Sequence, residues 1–337
     1  NSVLDTTNAY ICNSRPRRFG KSYAANMLAA YYSKGADSEK MFSGLKISKE
    51  IDFKKHLNKY DVIHIDIQWF LANCGDADKV VSFITQSVLD EFRNIYPDVL
   101  PQTVITLPDA LSRVKECTGQ KFVVIIDEWD AIIRDDTLTE KIQDEYLNFL
   151  RGMFKGVEPT KYIQLAYLTG ILPIKKEKTQ SAVNNLDEFT MLQADELAPY
   201  IGFTEEEVKE LCKKYGRDFD KVKKWYDGYL LNGYQVYNPK AVVSIMTKGR
   251  FRSYWSETGS YEVVVPLICM NYDGLKNAII GMLSGSEVRV NTATFKNDPS
   301  KIQNRDDVIT YLIHLGYLGY NEDSESAFVP NEEIRQE

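Results

Sequence analysis

An α/β fold is what this sequence predicts: a mainly parallel sheet with helices on both faces, followed by a mostly helical and winged-helix-like C-terminal part. Two observations predict it. From Thr7 to about Asp195, short β-branched or aromatic runs alternate with longer segments of helical period, which is the rhythm of strand-helix-strand units. Runs such as Phe122-Val123-Val124-Ile125-Ile126 are apolar throughout, as a strand covered by helices on both faces must be. Tyr10-Ile11-Cys12 reads as a short first strand, and Tyr23 to Tyr32 as the helix after it. Val62 to Ile67 reads as a second strand, Phe122 to Ile126 as a third, Ile163 to Leu168 as a fourth and Phe189 to Leu192 as a candidate fifth.

Beyond about Pro199 the pattern turns helical. Thr204 followed three residues later by Glu207 is a capping box, so a helix starts there. Near the end Val308 to Leu315 reads as a helix, and Tyr317 to Tyr320 with Ala327 to Val329 as a hairpin around an acidic turn. The expected division is a core over 1–198 and a helical, winged-helix-like region over 199–337.

Composition narrows the function. The 337 residues are 44% apolar and 26% charged, an ordinary globular profile that excludes disorder and fibrous architecture. Lys and Arg number 41 against 48 Asp and Glu, a net charge of −7, so the whole-molecule field repels a phosphate backbone and only a local basic patch would collect one. No apolar run approaches the roughly 20 residues of a membrane helix. Five widely spaced cysteines without a C-x-x-C pair fit neither a disulfide framework nor a zinc site, and suit a reducing cytosol. The chain opens on Asn1 and reads as a fragment of a longer protein.

The chemistry concentrates at Arg15-Pro16-Arg17-Arg18-Phe19-Gly20-Lys21-Ser22-Tyr23, between the first strand and its helix. Gly20-Lys21-Ser22 lies at a helix N-terminus, where free N–H groups and the dipole favour an anion, a Lys reaches the β- and γ-phosphates and a Ser hydroxyl holds Mg²⁺. Arg15 stands where a P-loop has its first glycine. A bare G-K-[ST] arises by chance in about one chain in five of this length, so a second signal is needed. It comes from the third strand, which ends in Asp127-Glu128. There Asp127 would hold Mg²⁺ through its water shell and Glu128 would deprotonate the attacking water. The alternative for this acid pair is a helix N-terminus favoured by the dipole.

Thr169, ending the fourth strand before Gly170, would sense the γ-phosphate; otherwise it is a strand-terminal Thr before a turn. Asn58-Lys59-Tyr60-Asp61 has the pattern of a guanine reader but precedes a strand, upstream of the acid pair. It reads as a turn, and adenine is the better base. His56, His64 and His314 are scattered and read as structural. Lys223-Lys224-Trp225-Tyr226-Asp227-Gly228-Tyr229 is basic and aromatic, which suits either helix packing or base stacking.

These segments, with Leu168-Thr169-Gly170-Ile171-Leu172-Pro173-Ile174, Gly202-Phe203-Thr204 and Val236-Tyr237-Asn238-Pro239, resemble the prokaryotic AAA-ATPase-like family, P-loop NTPases of AAA+/STAND type. The resemblance covers nearly the whole chain. It implies that Arg15 to Ser22 is the Walker A equivalent, with Arg at the first glycine position as a family trait, and that Asp127-Glu128 is the Walker B pair. It further implies MgATP hydrolysis driving or switching an attached effector, or an ATP-binding switch with little turnover. Such proteins usually carry an appended PD-(D/E)xK nuclease-like domain, which implies a DNA-processing role as an alternative. An arginine borrowed from a second copy would make the active form a homo-oligomer; Arg134, Arg151 and Arg217 are the candidates.

Overall fold

The structure, a computed structural model, describes residues 1–336 apart from 5, 7–8, 175, 178–179, 182, 184, 256–260 and 271. The chain falls into two compact units. The first comprises 1–13, 22–170 and 176–188. The second comprises 14–21, 171–175 and 189–337.

The first unit holds strands β1 (Tyr10–Ser14), β2 (Asp61–Asp66), β3 (Phe122–Asp127), β4 (Ile163–Gly170), the pair β5 (Lys176–Glu177) and β6 (Gln180–Ser181), and β7 (Asp187–Phe189). Its helices are α1 (Lys21–Tyr32), α2 (Glu39–Phe42), α3 (Phe53–His56), α4 (Ile67–Asn73), α5 (Val80–Ile95), α6 (Leu107–Thr118), α7 (Ala131–Arg134) and α8 (Glu140–Phe154). The sheet order is β2-β3-β4-β1-β7, and β2–β3 and β3–β4 are parallel. Every residue of β3 is buried, as its unbroken apolar run requires. On one face Val123, Ile125, Leu165 and Tyr167 pack with Ala25, Tyr31 and Tyr32 of α1. On the other, Phe122 stacks on Phe92 of α5 with ring centroids 5.5 Å apart.

Strands β1, β3 and β4 run one or two residues past their predicted ends, and two strands are displaced, each for a local reason. Ile67 opens α4 instead of closing β2, because the Asp66 carboxylate accepts from Trp69 N and caps that helix, ending the strand. The fifth strand is Asp187–Phe189, with Phe189–Leu192 mostly outside it. Thr190 Oγ1 accepts from Leu192 N and Gln193 N, a side-chain turn that competes with a ladder.

The second unit contains helices α9 (Glu205–Tyr215), α10 (Phe219–Tyr226), α11 (Pro239–Lys248), α12 (Tyr261–Cys269), α13 (Leu275–Leu283), α14 (Arg305–Leu315) and α15 (Glu332–Arg335). The capping box at Thr204 and Glu207 is formed. The unit also has more strand than expected. Antiparallel β8 (Phe203–Thr204), β9 (Tyr229–Leu231) and β10 (Tyr234–Tyr237) make one three-stranded sheet. The β9–β10 turn is Asn232-Gly233, both at positive φ (45° and 79°), the dipeptide that a tight hairpin favours. Helix α14 leads into the hairpin β12 (Gly319–Asn321) and β13 (Ser326–Phe328), which pairs with β11 (Val288–Arg289). That is the expected helix-then-hairpin arrangement. Val208, Val222, Tyr226, Tyr237, Val242 and Ile245 centre the core that α9, α10 and α11 share.

Candidate functional site

Residues 14–21, the phosphate-loop candidate, belong to the second unit. Ser14 Oγ donates to Leu172 O at 2.7 Å. Arg15 is fully buried, and its Nη1 donates to the carbonyls of Ser14, Phe189 and Thr190 at 3.0–3.3 Å. This guanidinium therefore ties the root of the loop to passing backbone. Phe19 is buried edge-on to Tyr229, centroids 5.4 Å apart, and Asn238 Nδ2 donates to Arg17 O at 3.4 Å. Pro16 packs so closely on Gly316 that a Cβ there would lie 2.7 Å from the proline ring.

Arg18 and Gly20 both have positive φ (70° and 85°), a left-handed geometry that helps turn backbone N–H groups inward in anion-binding concavities. Lys21 is 4% exposed and its Nζ donates to Pro16 O at 3.1 Å, clasping the loop across its own mouth. Lys21 also opens α1, whose first turn has no acidic residue, so no side chain there neutralises the positive end of the dipole. Ser22 and Tyr23 follow on the exposed side of α1, Tyr23 at 79%.

The acid strand lies in the first unit. Asp127, Asp66 and Thr169 occupy one register across β3, β2 and β4. Side chains alternate along a strand, so Asp127 and Thr169 share the face of Ile125 and Tyr167, the face that packs on α1. Asp127 is buried and its Oδ1 accepts Glu128 N at 3.0 Å. Trp129 N donates to Thr169 O at 2.9 Å, locking the chain after the acids to β4. Thr169 is fully buried and its Oγ1 has no hydrogen-bond partner among the described residues, an arrangement that costs free energy unless a ligand or water completes it.

Glu128 has φ 51°, a left-handed conformation that a Glu rarely adopts. Its Oε2 accepts from Arg134 Nη2 at 2.8 Å, while Arg134 Nε donates to the fully buried Asp130 at 2.7 Å. Tyr146, also fully buried, donates to Trp129 O at 2.7 Å; burial first, then the Asp130 charge, pushes its phenol well above the usual range.

The folded chain adds three further residues, Asp130, Arg134 and Asn13. Asp130 and Arg134 were legible as an i,i+4 acid-base pair directly after the acid motif. Asn13, buried at the end of β1 with Nδ2 on Tyr167 OH at 3.3 Å, was legible only as a polar residue in an apolar strand. Of the arginines weighed for a shared site, Arg134 is engaged within its own unit. Arg151 Nη1 donates to Asn148 at 2.7 Å, and Arg217 Nη2 to Met246 O at 2.8 Å.

Asn58 lies in a turn at φ 55°, its amide donating to the carbonyls of Ala30, Tyr31 and Ser33, so Asn58 serves chain packing as expected. Among the described residues no three His, Cys, Asp or Glu side chains converge as a metal cage, and no helix is long and apolar enough to cross a membrane.

A parallel sheet in which β4 separates the loop strand from the acid strand, with acids and a Thr at its carboxyl edge, is a P-loop NTPase sheet. A family model described as predicted AAA-ATPase matches residues 2–179, more than half of the chain, and the chain belongs to that family. An uncharacterized protein in the vnfD 5′ region of Azotobacter chroococcum mcd 1 is 27% identical over 260 residues, 76% of this chain and 48% of that protein. The chain thus spans about half the length of this curated relative. Among solved structures, the Aeropyrum pernix ORC2 protein in ADPNP-ADP complexes aligns over 99% of this chain and 87% of its own, at 12% identity and a TM-score of 0.37.

Proposed function

We propose that this AAA-ATPase-like chain binds MgATP and hydrolyses it, the nucleotide state switching an attached effector. The observation that supports this most is Thr169 Oγ1, buried without a partner among the described residues and in register with the buried carboxylate of Asp127. A polar pair of that kind at a strand edge suits a γ-phosphate and its metal. The left-handed Arg18 and Gly20 and the acid-free first turn of α1 suit the remaining phosphate charge.

In this reading the backbone N–H groups within Arg15 to Tyr23, Pro16 having none, bind the phosphates, and Lys21 exchanges Pro16 O for a phosphate oxygen. Ser22 and Asp127 would hold Mg²⁺, a cation bound by one or two protein oxygens plus phosphate and water. When bound, the metal neutralises charge developing on the phosphates. Glu128 takes the proton from water and Thr169 orients the γ-phosphate. Lys21→Ala should abolish ATP binding in a fluorescent-nucleotide titration, whereas Glu128→Gln should bind ATP and lose phosphate release. A wild type that binds no nucleotide sinks the proposal.

A second reading, an ATP-binding switch with little turnover, is favoured by the Glu128–Arg134 ion pair, which occupies a carboxylate oxygen of the proposed base. Tight ATP binding by the wild type with no phosphate release would select it.

A further inference from the structure

We propose that the face formed by α9, α10 and the C-terminal end of α11 docks the phosphate backbone of a nucleic acid. The chain as a whole carries −7, yet from the start of α9 residues 205–252 hold eleven Lys and Arg against seven Asp and Glu, and the stretch 211–252 holds ten against three Asp. Lys213, Lys214, Lys221, Lys224, Arg250 and Arg252 are all exposed. Two contacts bring them together. Arg217 donates to Met246 O at 2.8 Å and lies beside Gly249, which sets the last turn of α9, with Lys213 and Lys214, against the last turn of α11. The Trp225 ring lies 6.3 Å from Phe251, which brings the last turn of α10, with Lys224, to the Arg250–Arg252 segment.

Helix-dipole compensation explains only part of this charge. Lys213, Lys214 and Lys224 sit in last turns, where a cation is favoured. Lys221 lies in the first turn of α10, where a cation is disfavoured, and Arg250 and Arg252 lie beyond α11. Four of the seven acids on these helices are engaged: Glu205 holds Lys209 and Lys223, Glu207 completes the capping box of α9, Asp218 caps α10 and Asp227 lies 3.8 Å from Lys223. Tyr215, 42% exposed, and the half-buried Trp225 add rings on which bases stack.

The winged-helix-like hairpin is the opposite in charge. Residues 305–337 carry two Arg against eight Asp and Glu, and the hairpin turn itself holds Glu322, Asp323 and Glu325. That hairpin repels phosphate, so the basic face of α9–α11 is where nucleic acid docks. This inference is independent of the ATPase reading.

The test is fluorescence anisotropy of the full chain with a mixed-sequence duplex and the corresponding single strand, without nucleotide, from about 50 to 200 mM salt. Six phosphate contacts correspond to a slope of log K against log salt of about −5. Lys213→Gln/Lys214→Gln and Lys221→Gln/Lys224→Gln should each reduce that slope by about 2. Exposed Lys→Gln changes leave the core intact, which an unchanged melting temperature checks. Lys21→Ala should bind nucleic acid as the wild type does. Absence of binding at the lowest salt, or doubles that bind like wild type, overturns the proposal. So does tighter binding to phosphatidylserine vesicles that the same doubles abolish.

Discussion

At the scale of single residues, the Asp130–Arg134–Glu128 chain of ion pairs bears first on stability. Asp130 is fully buried and Arg134 nearly so, and removing one member of a buried pair exposes the other to a large desolvation cost. Arg134→Met is therefore expected to destabilise the fold by about 3 kcal/mol, read by urea denaturation. Adding Asp130→Asn should recover part of that loss. Gly170 tells a related story: a Cβ there would lie 2.6 Å from Asp130 Oδ1 and 2.7 Å from the Trp129 ring. Gly170→Ala should cost about 2 kcal/mol through overpacking, seen as a lowered melting temperature. The place of the acid pair and Thr169 at strand ends was readable in the sequence, because an apolar run marks where a buried strand stops. Arg15 was readable as part of the loop, but its inward turn onto three carbonyls was not, because nothing in a linear pattern says which way a guanidinium points.

At the scale of elements, helix signals carried further than strand signals. The Thr204–Glu207 box starts α9 as its spacing required, and Thr204→Ala should cost about 1 kcal/mol of stability. Glu205, in the first turn of α9, is held below the usual carboxylate range by hydrogen bonds from Lys209 and then Lys223 of α10. A lowered folded-state pKa adds stability that is full above the unfolded value and fades as pH falls through the folded one. Glu205→Gln should thus lose less stability than wild type between about pH 5 and pH 3 in denaturant titrations. The short strands were harder. Thr190 and Asp66 end or displace strands by side-chain hydrogen bonds that hydrophobic alternation does not register. The Asn232-Gly233 hairpin had a plain turn signature, but its strands are three and four residues long, too short for alternation to stand out.

At the scale of the whole molecule, the most informative fact is that residues 14–21 group with 171–175 and 189–337. Pro16 rests on Gly316, Phe19 on Tyr229 and Arg17 on Asn238, contacts more than two hundred residues apart in the chain. Gly316 has φ 85° and no room for a Cβ against Pro16 and Trp255. Gly316→Ala is expected to weaken ATP binding severalfold in the same titration that tests Lys21, though it lies far downstream of the loop. A linear pattern assigns the loop to the segment that surrounds it in sequence, because long-range packing leaves no local trace. The loop and its distant supports are in effect a single heritable part. A gene rearrangement that kept 1–188 and exchanged the remaining residues would carry the R-P-R-R-F-G-K motif intact and strip away the scaffold that gives it shape, so the two portions must be inherited, transplanted or engineered together.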